Sequence, residues 1–539
     1  MTHFNASLFS EFRASLCGMR KPAWILAALA LAVGCGSTAK PAQQPPPPAT
    51  PTTPATPVKK ATAPLHVDRA RLSAKLDAYV ASIGKGLDAA HQFSGFVLVG
   101  QGDQVLYAKP WGYADRAKRI RADRNTNFRI GSVTKQFTAA AILQLQEKGR
   151  LSVEDHVSKY LPAFPKGDTI TLHQLLTHTA GIYNYTNVDD LEKQAVKPVS
   201  VAKLIATFAN KPLDFPPGSK FSYSNSGYVL LGAIIEKVSG ERYGDYVRRH
   251  IFQPAGLTRT VYGDAPGMDD RALGYRFDKG ALARTRHFDM SWAYAAGGVR
   301  STAADLSRWH RVLAGDKVLS AASRKQLYTP TKKNYAYGWI VRNVGGKRVI
   351  AHDGGIPGFS TSFVRLMDDD IVIVVWSNNP QVPANPISSA ALELVLGKDV
   401  APLRDQSVPA RLAQRVAGGY VISPESAKDL TAMIGAKTVK TIEVVSIESS
   451  GKALMVHPIG QGAVAMVHEK ELVFTVPQVH AKLTFITASP GGPVRGLTLE
   501  QGRVKIVYSR DDKRAAAIKA KRGKATPGKK TTSGKKAMP

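Results

Sequence analysis

The chain has 539 residues, of which 44% are apolar, 8% aromatic and 21% charged, proportions that exclude disorder along most of its length and allow two or three domains. Its net charge is +32, but ten of the surplus positive charges lie in residues 513–539 and five in residues 1–63, so the basic balance alone does not mark a nucleic-acid domain. Two cysteines exclude a disulfide framework and disfavour a thiolate zinc site.

In chain order, residues 23–33 form an eleven-residue apolar run, too short to span a bilayer. Arg20 and Lys21 precede it and Val33-Gly-Cys35 follows it, the layout of a secretory signal. Its end resembles a bacterial lipobox, with Ala32 where leucine is usual, which implies lipidation at Cys35 and a leader over residues 1–35. Residues 36–64 read as a linker: nine prolines fall between Pro41 and Pro64, a composition that favours extended polyproline conformations and buries no core.

A folded body is expected over residues 65–400. Leu72, Leu76, Val80 and Ile83 predict an amphipathic helix over 67–90. Residues 95–99 and 105–109, split by Gly100-Gln-Gly-Asp103, predict a β-hairpin. Helices are expected over 132–148 and 228–238, and a buried strand over 370–377. From residue 416 short alternating runs over 441–447, 453–457, 471–475, 482–487 and 503–508 predict a small all-β domain, placed at 411–510. Residues 511–539 lack periodicity and read as a disordered basic tail.

Three short motifs carry chemistry. The first is Ser132-Val-Thr-Lys135, after Phe128-Arg-Ile-Gly131. If Ser132 opens a helix, Lys135 lies one turn on over the same face. A lysine amine there takes the hydroxyl proton once burial lowers its pKa, and the helix N-terminus offers amides to an oxyanion. S-x-x-K occurs six times, at Ser37, Ser82, Ser132, Ser200, Ser449 and Ser533; Ser132 is set apart by a preceding glycine and the apolar helix behind it. The second motif is Tyr223-Ser-Asn225, a phenol able to relay a proton and a carboxamide able to hold a substrate amide. Tyr185-Thr-Asn187 has the same spacing but no apolar helix follows it. The third is His352-Asp-Gly-Gly355, whose glycines let a strand edge approach a ligand.

Together and in this order, the three motifs resemble the serine β-lactamase and penicillin-binding protein superfamily, in its class C-like branch. Asn127-Phe-Arg-Ile-Gly-Ser-Val-Thr-Lys-Gln-Phe-Thr138, Leu175-Leu-Thr-His-Thr-Ala-Gly-Ile182 and Pro217-Gly-Ser-Lys-Phe-Ser-Tyr-Ser-Asn-Ser-Gly-Tyr228 carry the resemblance over residues 94–378. It implies an α+β catalytic domain: an antiparallel sheet packed with helices plus an all-helical region. The small all-β domain that follows is similar to the lipocalin-like modules found after such domains.

By position, Ser132 would be the acylated nucleophile, Lys135 its activating partner and Tyr223 the proton relay. Asn225 would bind the substrate amide, with His352, Gly354 and Gly355 along the substrate strand and the amides of Ser132 and Gly355 as oxyanion hole. His352 and Asp353 replace the family's lysine and threonine. That departure places an acid near the expected carboxylate pocket and argues against efficient β-lactam hydrolysis. His173 and His178 have metal-compatible spacing but no third ligand, so no metal or other cofactor is expected. The resulting expectation is an exported, envelope-anchored serine hydrolase acting on a small-molecule or peptide ester or amide, with no nucleic-acid partner. The rival is a non-catalytic sensor or binding protein on the same fold.

Overall fold

The computed structural model describes residues 65–524 except 88–91, 189–190, 265–270, 279–280, 435–438, 441, 459–463, 477–480 and 503. The expected leader, the proline-rich linker and Cys35 lie outside the described residues. Two compact units emerge, one of residues 65–83 and 92–403, the other of residues 84–87 and 404–524.

In the first unit, helix α1 (Arg69–Ser82) starts where the Asp68 side chain accepts from the Arg71 amide, and it buries Leu72, Leu76 and Val80. The predicted hairpin is β1 (Gly95–Gln101) and β2 (Gln104–Trp111). Helices α2 (Lys135–Glu147) and α3 (Asn225–Ser239) follow. Then come β3 (Ile340–Val344), β4 (Lys347–Ile356), β5 (Phe359–Leu366), β6 (Ile371–Ser377) and helix α4 (Asn385–Val395). The six strands form one sheet in the order β2-β1-β6-β5-β4-β3, every neighbouring pair antiparallel.

Both faces of this sheet are covered, and the period-two alternation of a strand sorts its side chains between them. Val97, Val99, Val349, Ala351, Ile371, Ile373 and Val375 pack in one core with Leu72 and Leu76 of α1 and Ile387 of α4. Phe96, Leu98, Ile350, Phe363, Val372, Val374 and Trp376 pack in the other with Phe137 of α2 and Leu230 of α3. Two-sided burial is why 371–376 is an unbroken apolar run rather than an alternating one. At about 25 cal/mol per Å² of apolar area, each fully buried leucine or valine contributes about 1.5–3 kcal/mol.

The second unit has its own core. Eight antiparallel strands close into a barrel: β7 (Gly418–Ile422), β8 (Val444–Ser450), β9 (Ala453–Pro458), β10 (Val464–Lys470), β11 (Val473–Val476), β12 (Ala481–Thr487), β13 (Val494–Gln501) and β14 (Val504–Arg510). Eight strands leave an interior that side chains can fill, and here Tyr420, Met466, Phe474, Phe485, Leu497 and Tyr508 are among those that fill it.

One sequence expectation is corrected. The expected disordered tail begins as helix α5 (Asp512–Lys524). Its start is fixed by the Asp512 carboxylate accepting from the Gly419 amide at 2.5 Å. Ala515 and Ile518, three residues apart on one side of the helix, pack against Val421 and Val444. Alanine and lysine, which read as low complexity, are also strong helix formers, and a single apolar contact row is enough to hold them. Residues 525–539 lie outside the described residues.

Candidate active site

The site is built on the second face of the sheet. Phe128 and Arg129 pair with Ser301 and Arg300 of a short strand, and the Ile130 amide donates to the Val299 carbonyl at 3.2 Å. The chain then turns through Gly131, whose φ of +52° suits glycine and whose Cβ, if present, would lie 2.9 Å from the Gly355 nitrogen. This close approach, with the positive φ, explains why Gly131 precedes Ser132. A 3-10 turn over Gly131–Thr134 leads into α2, so the serine sits in the turn and the lysine on the first helical residue.

Strand β4 supplies the facing edge. Strand β3 pairs with it only through Lys347–Ala351, which leaves the outer edge of residues 352–356 without a neighbouring strand. A Cβ on Gly354 would fall 2.0 Å from the Ile130 carbonyl oxygen and 3.4 Å from the Ser132 nitrogen, whereas one on Gly355 would meet nothing within 4 Å. Gly354 is therefore required by packing and Gly355 borders open space. The amides of Ser132 and Gly355 flank the same small region.

Lys135 is fully buried. Its Nζ lies 3.1 Å from Ser132 Oγ, 2.8 Å from Asn225 Oδ1 and 2.8 Å from the Ala296 carbonyl oxygen. None of these partners carries a formal charge. Burial without a counter-ion holds the amine well below its ordinary 10.5. The two carbonyl-type oxygens can only accept. They take two N–H bonds of a neutral amine and leave its lone pair for the third direction, that of the Ser132 hydroxyl. A neutral amine held this way can accept the Ser132 proton without any rearrangement of neighbours.

Asn225 opens α3 with its amide nitrogen donating to Asn184 Oδ1 and its Nδ2 to Thr186 Oγ1. Its carboxamide is thus fixed, oxygen toward Lys135. The Tyr223 ring lies against the same amine, with Nζ 4.8 Å from its centroid, and it packs tilted against the His178 ring, centroids 4.1 Å apart. His178 is buried, accepts the Ser224 amide on Nδ1, and through its carbonyl accepts the Ser222 amide. It braces the turn that presents Tyr223. His173 bonds the Tyr337 hydroxyl through Nδ1 at 2.7 Å.

His352 shares the face of Ile350 and Gly354. It is 1% exposed, with Nδ1 2.6 Å from the Asp353 carbonyl oxygen and Nε2 2.9 Å from the Tyr335 hydroxyl. Burial first, and nearby Lys135 second, push its imidazole down to about 3. Asp353 does not enter the site. By strand alternation it points to the opposite face, where its Oδ2 accepts from Asn385 Nδ2 of α4 at 2.6 Å. Burial raises that carboxyl, with Ser362, Arg342 and Asn385 acting against the rise. The expected acid beside a carboxylate pocket is therefore corrected, because a one-residue step along β4 reverses the side chain.

The decoy motifs resolve into structural roles. Ser82 donates to the Tyr79 carbonyl oxygen at a helix end and accepts the Leu403 amide. Ser200 caps a helix by accepting the Lys203 amide. Tyr185 is buried and its hydroxyl donates to the Trp292 carbonyl. Sequence reasoning missed Tyr335 and the Ala296 carbonyl. The cluster Tyr335-Ala-Tyr-Gly-Trp339 was the available signal for the first: Gly338, with φ +74°, would place a Cβ 2.8 Å from the Lys135 carbonyl oxygen.

The chain is similar to known proteins in sequence and in fold. Residues 73–396 match the family model described as Beta-lactamase. The chain is 32% identical over 375 residues to penicillin-binding protein 4* of Bacillus subtilis, covering 64% of this chain and 83% of that protein. It is similar to the octameric penicillin-binding protein homologue from Pyrococcus abyssi, at 25% identity and TM-score 0.57 over 80% of this chain and 99% of that one. A D-stereospecific amidohydrolase from Streptomyces sp. matches at 26% identity and TM-score 0.51, over 60% and 98% of the two chains.

Proposed function

Because the chain belongs to the serine β-lactamase and penicillin-binding protein superfamily, we propose that it is a serine hydrolase that forms an acyl-enzyme on Ser132 from an ester or amide. The observation that carries this reading is the buried Lys135 amine, held by two obligate acceptors and in contact with Ser132 Oγ. Ser132 Oγ attacks the substrate carbonyl carbon while its proton passes to Lys135 Nζ. The tetrahedral oxyanion takes hydrogen bonds from the amides of Ser132 and Gly355. As the C–O or C–N bond breaks, Tyr223 conducts a proton to the leaving group. Water then cleaves the Ser132 ester by the reverse sequence, releasing the acid and restoring the hydroxyl. Asn225, His352, Gly354 and Gly355 border the substrate.

A serine-directed covalent probe read by intact mass tests acylation, and a burst of leaving group followed by steady turnover tests catalysis. One equivalent of label without turnover would instead support a binding protein or sensor. The Streptomyces neighbour is described as a D-stereospecific amidohydrolase, which makes D-amino-acid amides a first class to screen beside simple esters and β-lactams.

The chemistry is assigned to the first unit. Deleting residues 416–539 is expected to leave ester hydrolysis within about tenfold, about 1.4 kcal/mol in barrier. A folded truncation with no activity would mean the barrel helps build the site. The signal-like sequence supports export and anchoring through a lipid on Cys35. Cys35→Ser is expected to abolish fatty-acid incorporation and release the protein from membranes. Continued incorporation would exclude Cys35 as the anchor.

A further inference from the structure

We propose that Tyr335 is a positioning residue that sets the charge selectivity of the site, by occupying His352 Nε2 so that the imidazole cannot serve as a cation for a substrate carboxylate. The inference deepens the acyl-transfer reading and rests on it for the kinetic part of its test.

The geometry fixes one tautomer. The Asp353 carbonyl oxygen can only accept, so the 2.6 Å contact requires the proton on Nδ1. In the neutral ring Nε2 is then a bare acceptor, so the Tyr335 hydroxyl at 2.9 Å, which also bonds the buried Tyr228 hydroxyl, turns its proton to it. Both ring nitrogens are thereby used in a place that is 1% exposed, and Tyr335 itself is 2% exposed. The groups packed around His352 oppose a further positive charge or leave it unbalanced. Lys135 approaches from α2, Tyr223 from the turn before α3 with ring centroids 6.3 Å apart, and His178 from behind the tyrosines. The nearest acid on its own strand, Asp353, faces away toward Asn385.

His352 and Gly354 share the strand face that meets the Ser132 turn. A carboxylate lying along that edge would look for a donor at His352 Nε2 and find it filled by a phenol. An acyl group without a free carboxylate loses nothing there. The site therefore selects uncharged acyl donors, and the selectivity is written by Tyr335 rather than by Asp353.

The test uses the full chain. Ring ¹⁵N spectra of histidine-labelled protein, with His352→Gln to assign its signals, report tautomer and protonation with no need for catalysis. In the unaltered protein His352 is expected to stay neutral with its proton on Nδ1 down to pH 5.5. Protonation near 6.5, or an Nε2–H tautomer, would overturn the proposal, and this measurement alone decides if Tyr335→Phe fails to fold. In folded Tyr335→Phe, His352 is expected to protonate at higher pH. The ratio of kcat/KM for p-nitrophenyl hemisuccinate to that for p-nitrophenyl butyrate is then expected to rise about tenfold at pH 5.5 and not at pH 8. The rise should be carried by KM for the anionic ester, with kcat for butyrate within about threefold. A His352 that stays neutral in Tyr335→Phe, or one that protonates without moving the ratio, would overturn the proposal. Should Ser132 prove unreactive, the acyl-transfer reading falls, while the spectra still decide what Tyr335 does to His352.

Discussion

Ser132→Ala is expected to abolish labelling by a serine-directed probe and to lower kcat/KM for any hydrolysed ester by about 10⁴–10⁶-fold. The size follows from the layout of the site. Lys135 Nζ already touches Oγ at 3.1 Å and its other two partners are fixed carbonyl-type oxygens, so the amine is aimed at Ser132. Thr134, the nearest hydroxyl in sequence, is fully buried and accepts the Val299 amide. The fold should tolerate the change, since Ser132 is the one half-buried residue of an otherwise buried turn, and the thermal midpoint is expected to move by less than about 3 °C. Ser82→Ala and Ser200→Ala should retain full labelling. Persistent labelling of Ser132→Ala would end the mechanism.

The second large effect belongs to Lys135→Met, which keeps the apolar stem but has no base. Its kcat is expected to fall by about 10²–10⁴-fold. In the unaltered protein kcat/KM should rise with pH through the lowered lysine pKa and level off below 10.5, because the neutral amine is the active form. Lys135→Met should remove that limb. The same shift makes a stability statement of defined sign. A lysine whose folded pKa is depressed binds more protons unfolded than folded between the two values, so stability rises with pH across that window. Lys135→Met should flatten the rise in denaturant midpoint measured between pH 6 and 10. An unchanged activity profile would show that another group takes the serine proton.

Much of this site is legible in the sequence because it is local. Ser132, Lys135 and the glycine before them are fixed by one turn of chain, and the apolar run at 371–376 announces a strand covered on both faces. Asp353 was misread although its strand parity was available: the side chains of Ile350 and His352 lie on the face of the Ser132 turn, and those of Ala351 and Asp353 on the other. The aromatic cluster around Gly338 marks Tyr335 as worth noting, but its partner is not legible. Its role arises from a hydrogen bond to His352 that depends on how the segment before β3 folds over β4, which no local pattern encodes. In the barrel, Gly418–Ile422, Val464–Lys470 and Val494–Gln501 are not predicted, the first because it begins with two glycines, the second because it ends in exposed charged residues, and the third because Gly496 interrupts it. Helix α5 was hidden by a composition that suits solvent as well as it suits a helix.

The central claim is the covalent intermediate on Ser132, and acid-quenched peptide mapping during ester turnover tests it most directly. Trypsin cuts after Arg129 and Lys135, releasing Ile130-Gly-Ser-Val-Thr-Lys135, in which Ser132 and Thr134 are the only hydroxyls. The expected result is the acyl mass on this peptide, fragmenting to Ser132, rising within the burst and decaying as substrate is exhausted. Steady turnover with this peptide unmodified, or with the acyl group on another residue, would contradict the mechanism.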